Sequence, residues 1–585
     1  MSNPTPAAPP VARALHAARV ATAQIETLRA WRAVPPDYVE ITLDGSLPPL
    51  PPRQPPFLEH LPLRRAPSLK DPLAALAAVA RDPRVTGAVL HLRGLAAAPA
   101  TRDALVAAIA AARGAGKRVV AYASTLDAAT YPVACACDEV LLQPGGGIGA
   151  LGIRRGFAFL ADSLGRIGLT FEAVRVSPYK SATDLLTDTA LSPEARQMVD
   201  WLMDDAFDAL VDAVADGRGL ARDAALARID GSPFTDVEAV ANGLADAIVS
   251  AEDLPAHLGP AGAPATVGRW KSAQHSLLPE PPEAPGKRVA LIRIEGLIVD
   301  GESRPLPPRG IPVVGESRSG DVTVVAEARR ALADDDVAAT VVWIDSPGGS
   351  STASEAIAAA LEKLAERKPL VAVMGPVAGS GGYYVATPAH HIMAQPSTLT
   401  GSIGVIAGKF VTTGLLERLA VRRQLVMRGA NMAIWDGQSG FTPAHRERVE
   451  AMIARVYDVF VARVAKGRGM AEDEVRALGG GRVWTGRQAL GYGLIDALGD
   501  LEAGAAEARR RAGISARAPL VAAHAGRKPL GPQAAATAAA GAARAAVAAL
   551  VPATAAIEAV LDAADDAALL GRGGVWLLSP VGAGG

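Results

Sequence analysis

The chain has 585 residues, half of them hydrophobic, with 59 Lys and Arg set against 60 Asp and Glu. That length exceeds one hydrophobic core and predicts several domains, while the near-zero charge excludes the basic surface of a nucleic-acid binder. Cys135 and Cys137 are the two cysteines and are spaced too closely for an easy mutual bridge, which excludes a disulfide scaffold.

The first segment, residues 1–37, opens without a basic stretch leading into an apolar run, so Met1–Pro10 does not read as a secretory signal. From Val11 to Trp31, Val11, Leu15, Ala18, Ile25 and Leu28 recur at helical spacing, with Arg13, His16, Arg19 and Arg29 among them. Such a basic amphipathic helix suits peripheral contact with a membrane surface and equally suits packing on its own domain or another subunit. No apolar run is long enough to predict a transmembrane helix. Location is left between cytoplasmic and peripherally membrane-associated. Cys135-Ala-Cys137 has no further Cys or His nearby, so no metal is expected, and no cofactor.

The sequence then repeats itself. Gln143-Pro144 and Gln395-Pro396 each end an apolar strand and precede a glycine turn, Gly149-Ala-Leu-Gly152 and Gly401-Ser-Ile-Gly404, at an offset of 252 residues. The same offset aligns Tyr131 with Tyr383, and an offset of 250 aligns Asp216-Gly-Arg-Gly-Leu220 with Lys466-Gly-Arg-Gly-Met470. Copy one spans residues 38–253 and copy two 288–503, joined by a Pro/Gly/Ala-rich linker over 254–287. Beyond lies a C-terminal extension, 504–585, Ala-rich and read as helical from Ala534 to Leu570, with a Gly-rich, frayed end.

Within copy two, Val289–Ile294, Thr340–Ile344 and Leu370–Met374 are short apolar runs that read as buried strands. Ser354–Glu366, and Asp103–Arg113 in copy one, read as the helices between such strands. Strand and helix in alternation predict an α/β fold with a largely parallel sheet.

Two strand-to-helix turns in copy two carry chemistry. In Asp345-Ser-Pro-Gly348-Gly349, adjacent glycines leave backbone N–H groups open to an oxyanion. In Ala378-Gly-Ser380-Gly381-Gly-Tyr383 a serine is presented on a tight turn, with the Gly381 N–H as a second donor. Either turn alone is an ordinary loop. The repeat distinguishes them: Ser380 falls on Ala128, and Gly348 and Gly349 fall on Ala96 and Ala97. Conversely, Lys180 of copy one falls on Met432. Each copy therefore holds one half of a Ser/Lys pair. A lysine buried between two domains would lose its charge and could take the serine proton.

Ser346-Pro-Gly-Gly349, Ser380-Gly-Gly-Tyr383, Pro396-Ser-Thr-Leu-Thr-Gly-Ser-Ile-Gly404 and Tyr179-Lys180-Ser181 together resemble the signal peptide peptidase A (protease IV) family in its long, duplicated form. The resemblance implies two tandem Clp-protease/crotonase-like repeats with helical extensions, and a serine endopeptidase acting through a Ser/Lys dyad on hydrophobic peptides such as cleaved signal peptides. It implies Ser380 as nucleophile, Lys180 as base, Gly348, Gly349 and Gly381 as the oxyanion hole, and Ser402 as the hydroxyl that orients the lysine. It also implies a homotetramer.

Four rivals compete. Gly147-Ile-Gly149-Ala-Leu-Gly152, with Glu172 beyond it, formally fits a dinucleotide fingerprint. A hydrolase triad would need a histidine from His390, His391, His445 or His524. A crotonase-like acyl-CoA hydratase or hydrolase, or a membrane-associated scaffold of the same fold, would use the turns without the dyad.

Overall fold

The computed structural model describes residues 21–22, 24–53, 67–303 and 317–523, and the backbone of 574–578. Residues 24–32 are helical, and the rest of the expected N-terminal amphipathic helix, apart from residues 21 and 22, lies outside the described residues. Arg84 holds the end of this helix, donating to Ala30 O at 2.8 Å and Ala33 O at 3.1 Å while its guanidinium sits over Trp31. Ile25 and Leu28 remain exposed.

Each repeat is built on a parallel sheet. In copy one, Glu139–Ile148, Arg118–Leu126, Gly87–Ala96 and Tyr38–Ser46 lie side by side in that order. In copy two, Leu370–Gly379, Val337–Ser346 and Arg288–Glu295 do the same, with His391–Ala394 and Leu399–Gly401 both pairing with Leu370–Gly379. Val119, Val120, Val371 and Val373 are all fully buried, as expected of strands covered on both faces. The helices Pro99–Gly114 and Ser351–Ala365 sit where the periodicity places them.

The duplication extends to individual hydrogen bonds. Tyr131 Oη donates to Leu244 O at 2.8 Å, and Tyr383 Oη to Leu494 O at 2.7 Å. Arg218 pairs with Asp246, and Arg468 with Asp496, each at 2.7 Å. Pro193–Arg218 and Pro443–Arg468 are both 26-residue helices, each capped by a hydroxyl (Ser192 and Thr442) and ended by a left-handed glycine (Gly219 and Gly469).

The stretch 254–287 carries structure of its own. Leu254–Leu258 is helical, and Val267–Arg269 pairs with Tyr38–Glu40 at the edge of the first sheet. The helix Leu501–Arg511 runs across the boundary expected at residue 504, and the strand Leu520–Ala522 beyond it pairs with Arg288–Glu295. The expected helix from Ala534 to Leu570 lies outside the described residues. Within the Gly-rich end, read above as frayed, Gly574–Leu578 forms a strand instead. Cys135 and Cys137 are buried and free. Among the described residues no helix is long and apolar enough to cross a membrane.

A third sheet joins the copies. Its order is Arg318–Gly320, Leu297–Val299, Gly348–Ser350, Gly574–Leu578, Ile406–Val411 and Thr170–Arg175. The last strand belongs to copy one and runs antiparallel to Ile406–Val411 of copy two, Arg175 opposite Ile406. Other contacts lock the copies. Trp201 stacks on Trp484 with centroids 4.9 Å apart and donates its indole N–H to Val483 O at 2.9 Å. Asp103 accepts from Ser397 N and Oγ at 2.8 and 2.7 Å, and Arg487 pairs with Asp205 at 2.9 Å. Trp201→Ala removes a half-buried ring, its stack and its hydrogen bond. It is expected to cost about 2 to 3 kcal/mol in urea unfolding.

Candidate active site

Strand Thr170–Arg175 is the lever that delivers Lys180. Its pairing continues through Val176 N to Val405 O at 3.1 Å, and the chain then turns, Lys180 N donating to Ser177 O at 3.0 Å. The turn drives the Lys180 side chain into copy two, where its exposure is 0%.

Three oxygens surround the amine. Lys180 Nζ lies 2.7 Å from Ser380 Oγ, 2.8 Å from Ser402 O and 2.9 Å from Ser402 Oγ. Burial holds the Lys180 pKa well below the ordinary lysine value of 10.5.

Ser380 follows strand Leu370–Gly379 and precedes the short helix Gly381–Ala386. Its backbone is left-handed in φ, at 53°, and Ser402 shares that feature at 50°. Non-glycine residues seldom adopt this conformation, which costs about 1 to 3 kcal/mol and gathers at functional sites. Both are held by main-chain bonds, Ser380 N to Gly401 O at 2.8 Å and Ser402 N to Arg482 O at 2.6 Å.

The glycine turn of residues 348 and 349 meets the serine turn. A Cβ placed on Gly381 would lie 3.2 Å from both Gly348 Cα and Gly349 N, so the two turns touch without room for a side chain there. Gly348 N already donates to Ser346 Oγ at 3.1 Å. Asp345 ties the turns together, accepting from Val377 N at 3.2 Å, and burial pushes its carboxyl up to about 7. The six residues expected to form a site, Lys180, Gly348, Gly349, Ser380, Gly381 and Ser402, are thus assembled in one place.

Their repeat partners form no second such site. Met432 is exposed, and Ala128 has no hydroxyl. The dinucleotide fingerprint fails its structural context, because Gly147 lies in a strand paired with Thr235 and no helix begins between Gly152 and Ala161. Among the described residues no histidine is a hydrogen-bond partner of Ser380. His390 Nδ1 accepts from Leu370 N at 3.1 Å, and His391 faces Asp496. His524 lies outside the described residues.

A family model for peptidase family S49 matches residues 111–259 and 362–515, one region in each repeat. The chain belongs to peptidase family S49. It is similar to the chloroplastic serine protease SPPA of Arabidopsis thaliana, at 29% identity over 74% of this chain and 64% of that protein. It is likewise similar to Protease 4 of Haemophilus influenzae, at 29% identity over 75% of this chain and 72% of the relative. Protease 4 of Salmonella typhi matches at 29% identity over 75% of this chain and 71% of its own length. The chain therefore spans less than two thirds of the Arabidopsis relative. The S49 assignment accords with the tandem α/β repeats described above.

Sequence reasoning missed the support beneath the lysine. Gly481, at φ +96°, lets the Lys180 backbone approach, for a Cβ there would stand 2.6 Å from Lys180 Cα and 2.8 Å from its Cβ. Arg482 covers the Tyr179 ring at 3.9 Å, fixing the residue before the lysine. One signal was present: Gly479-Gly480-Gly481 replaces Ile229-Asp230-Gly231 of copy one. Gly481→Ala should destabilise the fold by about 1 to 3 kcal/mol. It should also displace Lys180 and depress peptide hydrolysis by more than tenfold, measured at a temperature where circular dichroism shows the variant folded.

Proposed function

We propose that this S49 chain is a serine endopeptidase in which Ser380 is the nucleophile and Lys180 the general base. The observation that carries the reading is the 2.7 Å approach of a fully buried lysine amine to a serine hydroxyl. A neutral amine has two N–H donors and one lone pair. Ser402 O accepts only, so one N–H is directed there, and the second goes to Ser402 Oγ. The lone pair then faces Ser380 Oγ and receives its proton as the hydroxyl attacks a peptide carbonyl. Ser402 is thus a positioning residue for the lysine.

The carbonyl oxygen gains negative charge in the tetrahedral intermediate and needs donors already in place. The N–H groups of Gly349 and Gly381 are the proposed pair, since that of Gly348 is engaged by Ser346. The lysine, now protonated, returns the proton to the leaving amine. Water then repeats the attack on the acyl-enzyme with the lysine again as base, restoring Ser380.

The substrate class we propose is an extended, apolar peptide such as a cleaved signal peptide, held by main-chain bonds along strand edges. Around Ser380, Val377, Ala378, Ile403 and Val405 are apolar and buried. Homotetrameric assembly belongs to the same proposal and rests on the resemblance alone, while peripheral membrane contact is proposed from the basic amphipathic pattern of Val11 to Trp31.

Ser380→Ala and Lys180→Met should each abolish cleavage of a fluorogenic hydrophobic peptide, by at least about a thousandfold. Both variants should melt within a few degrees of the parent. Cleavage that survives either substitution would refute the dyad.

A further inference from the structure

The strand Gly574–Leu578 sits in a slot of the third sheet. On one side it pairs antiparallel with Gly348–Ser350, setting Leu578 opposite Gly348, Leu577 opposite Gly349 and Trp576 opposite Ser350. On the other it pairs antiparallel with Ile406–Gly408, setting Trp576 opposite Ile406, Val575 opposite Ala407 and Gly574 opposite Gly408. Its two neighbours belong to copy two and flank it on opposite sides. With adjacent strands about 4.8 Å apart, they stand about 10 Å from each other across one strand's width. An extended peptide that enters this slot gains main-chain bonds on both edges, twice what an open sheet edge offers.

The position of the slot matters more than its width. Gly349 is the proposed oxyanion donor, and its turn touches the Ser380 turn at Gly381. Ile406 follows directly on the Ser402–Val405 segment that holds the lysine. A peptide in the slot therefore runs alongside both halves of the proposed site, its C-terminal end directed at the glycine turn. Gly574-Val-Trp-Leu-Leu578 is itself uncharged and apolar, with β-branched and aromatic residues that favour strands.

We infer that this slot is the peptide groove and that the chain's own segment Gly574–Leu578 is its tethered occupant, bound as a substrate strand would be and competing with substrate in cis. The inference rests on the proposed site at Ser380 for its catalytic consequence, but the binding itself does not require catalysis. Because the segment is covalently attached, its occupancy is independent of protein concentration. Substrate gains access only in the fraction of molecules whose slot is vacant, so the apparent KM rises by the inverse of that fraction while kcat is unchanged.

The test uses full-length chain whose intact mass shows residues 574–585 retained, against a full-length Val575→Pro/Leu577→Pro variant. Proline removes two N–H donors and cannot continue a paired central strand. The variant should melt like the parent and show an apparent KM about tenfold lower, with kcat unchanged. The capped pentapeptide of sequence GVWLL should inhibit the variant competitively and the parent about tenfold less strongly. Equal KM values and no competition by the peptide would overturn the inference. If neither chain cleaves any peptide, the proposed function fails and a second arm decides this inference separately. Polarisation of the fluorescein-labelled pentapeptide, on a Ser380→Ala background, should show tighter binding to the proline variant. Equal binding to both chains would overturn it.

Discussion

A lysine amine with no access to water is the constraint on which the site depends. An ammonium there would lack the hydration that stabilises its charge, so burial favours the neutral amine. Three oxygens from Ser380 and Ser402 match the two donors and one lone pair of that neutral form. Neither copy alone provides this environment. The lysine comes from copy one, and every oxygen around it comes from copy two.

This division explains why the duplication is asymmetric. Both copies keep the parallel sheet, the long capped helix and the buried tyrosine bond. They diverge where copy one reaches into copy two. Thr170–Arg175 joins the sheet of copy two, but the corresponding stretch after Leu419 forms no strand. The strain stored in the left-handed Ser380 and Ser402 is likewise confined to copy two, and both serines are braced by its main chain. The architecture thus uses one copy as the bed of the site and the other as the carrier of the buried lysine.

Much of this was legible in the sequence because its signals are local or periodic. Buried runs such as Leu370–Met374 mark parallel strands, and the 252-residue offset exposed Ser380 and Lys180 as complementary departures from the repeat. The remainder depended on partners far apart in the chain. Gly481 matters because Lys180 passes within van der Waals distance of it, a fact about close approach rather than about glycine. Val267–Arg269, inside a segment whose composition suggests only a linker, becomes a strand because Tyr38–Glu40 offers it an edge. Gly574–Leu578, in a glycine-rich end, is a strand for the same reason, with an edge on each side.

The most direct measurement is the pH dependence of Ser380 acylation by a small serine-directed fluorophosphonate, followed by intact mass. With a neutral Lys180 as the proposed base, the rate should rise with pH through one ionisation lying well below 10.5, and that ionisation should vanish in Lys180→Met. An ionisation at the ordinary lysine value, or one that survives Lys180→Met, would contradict the account.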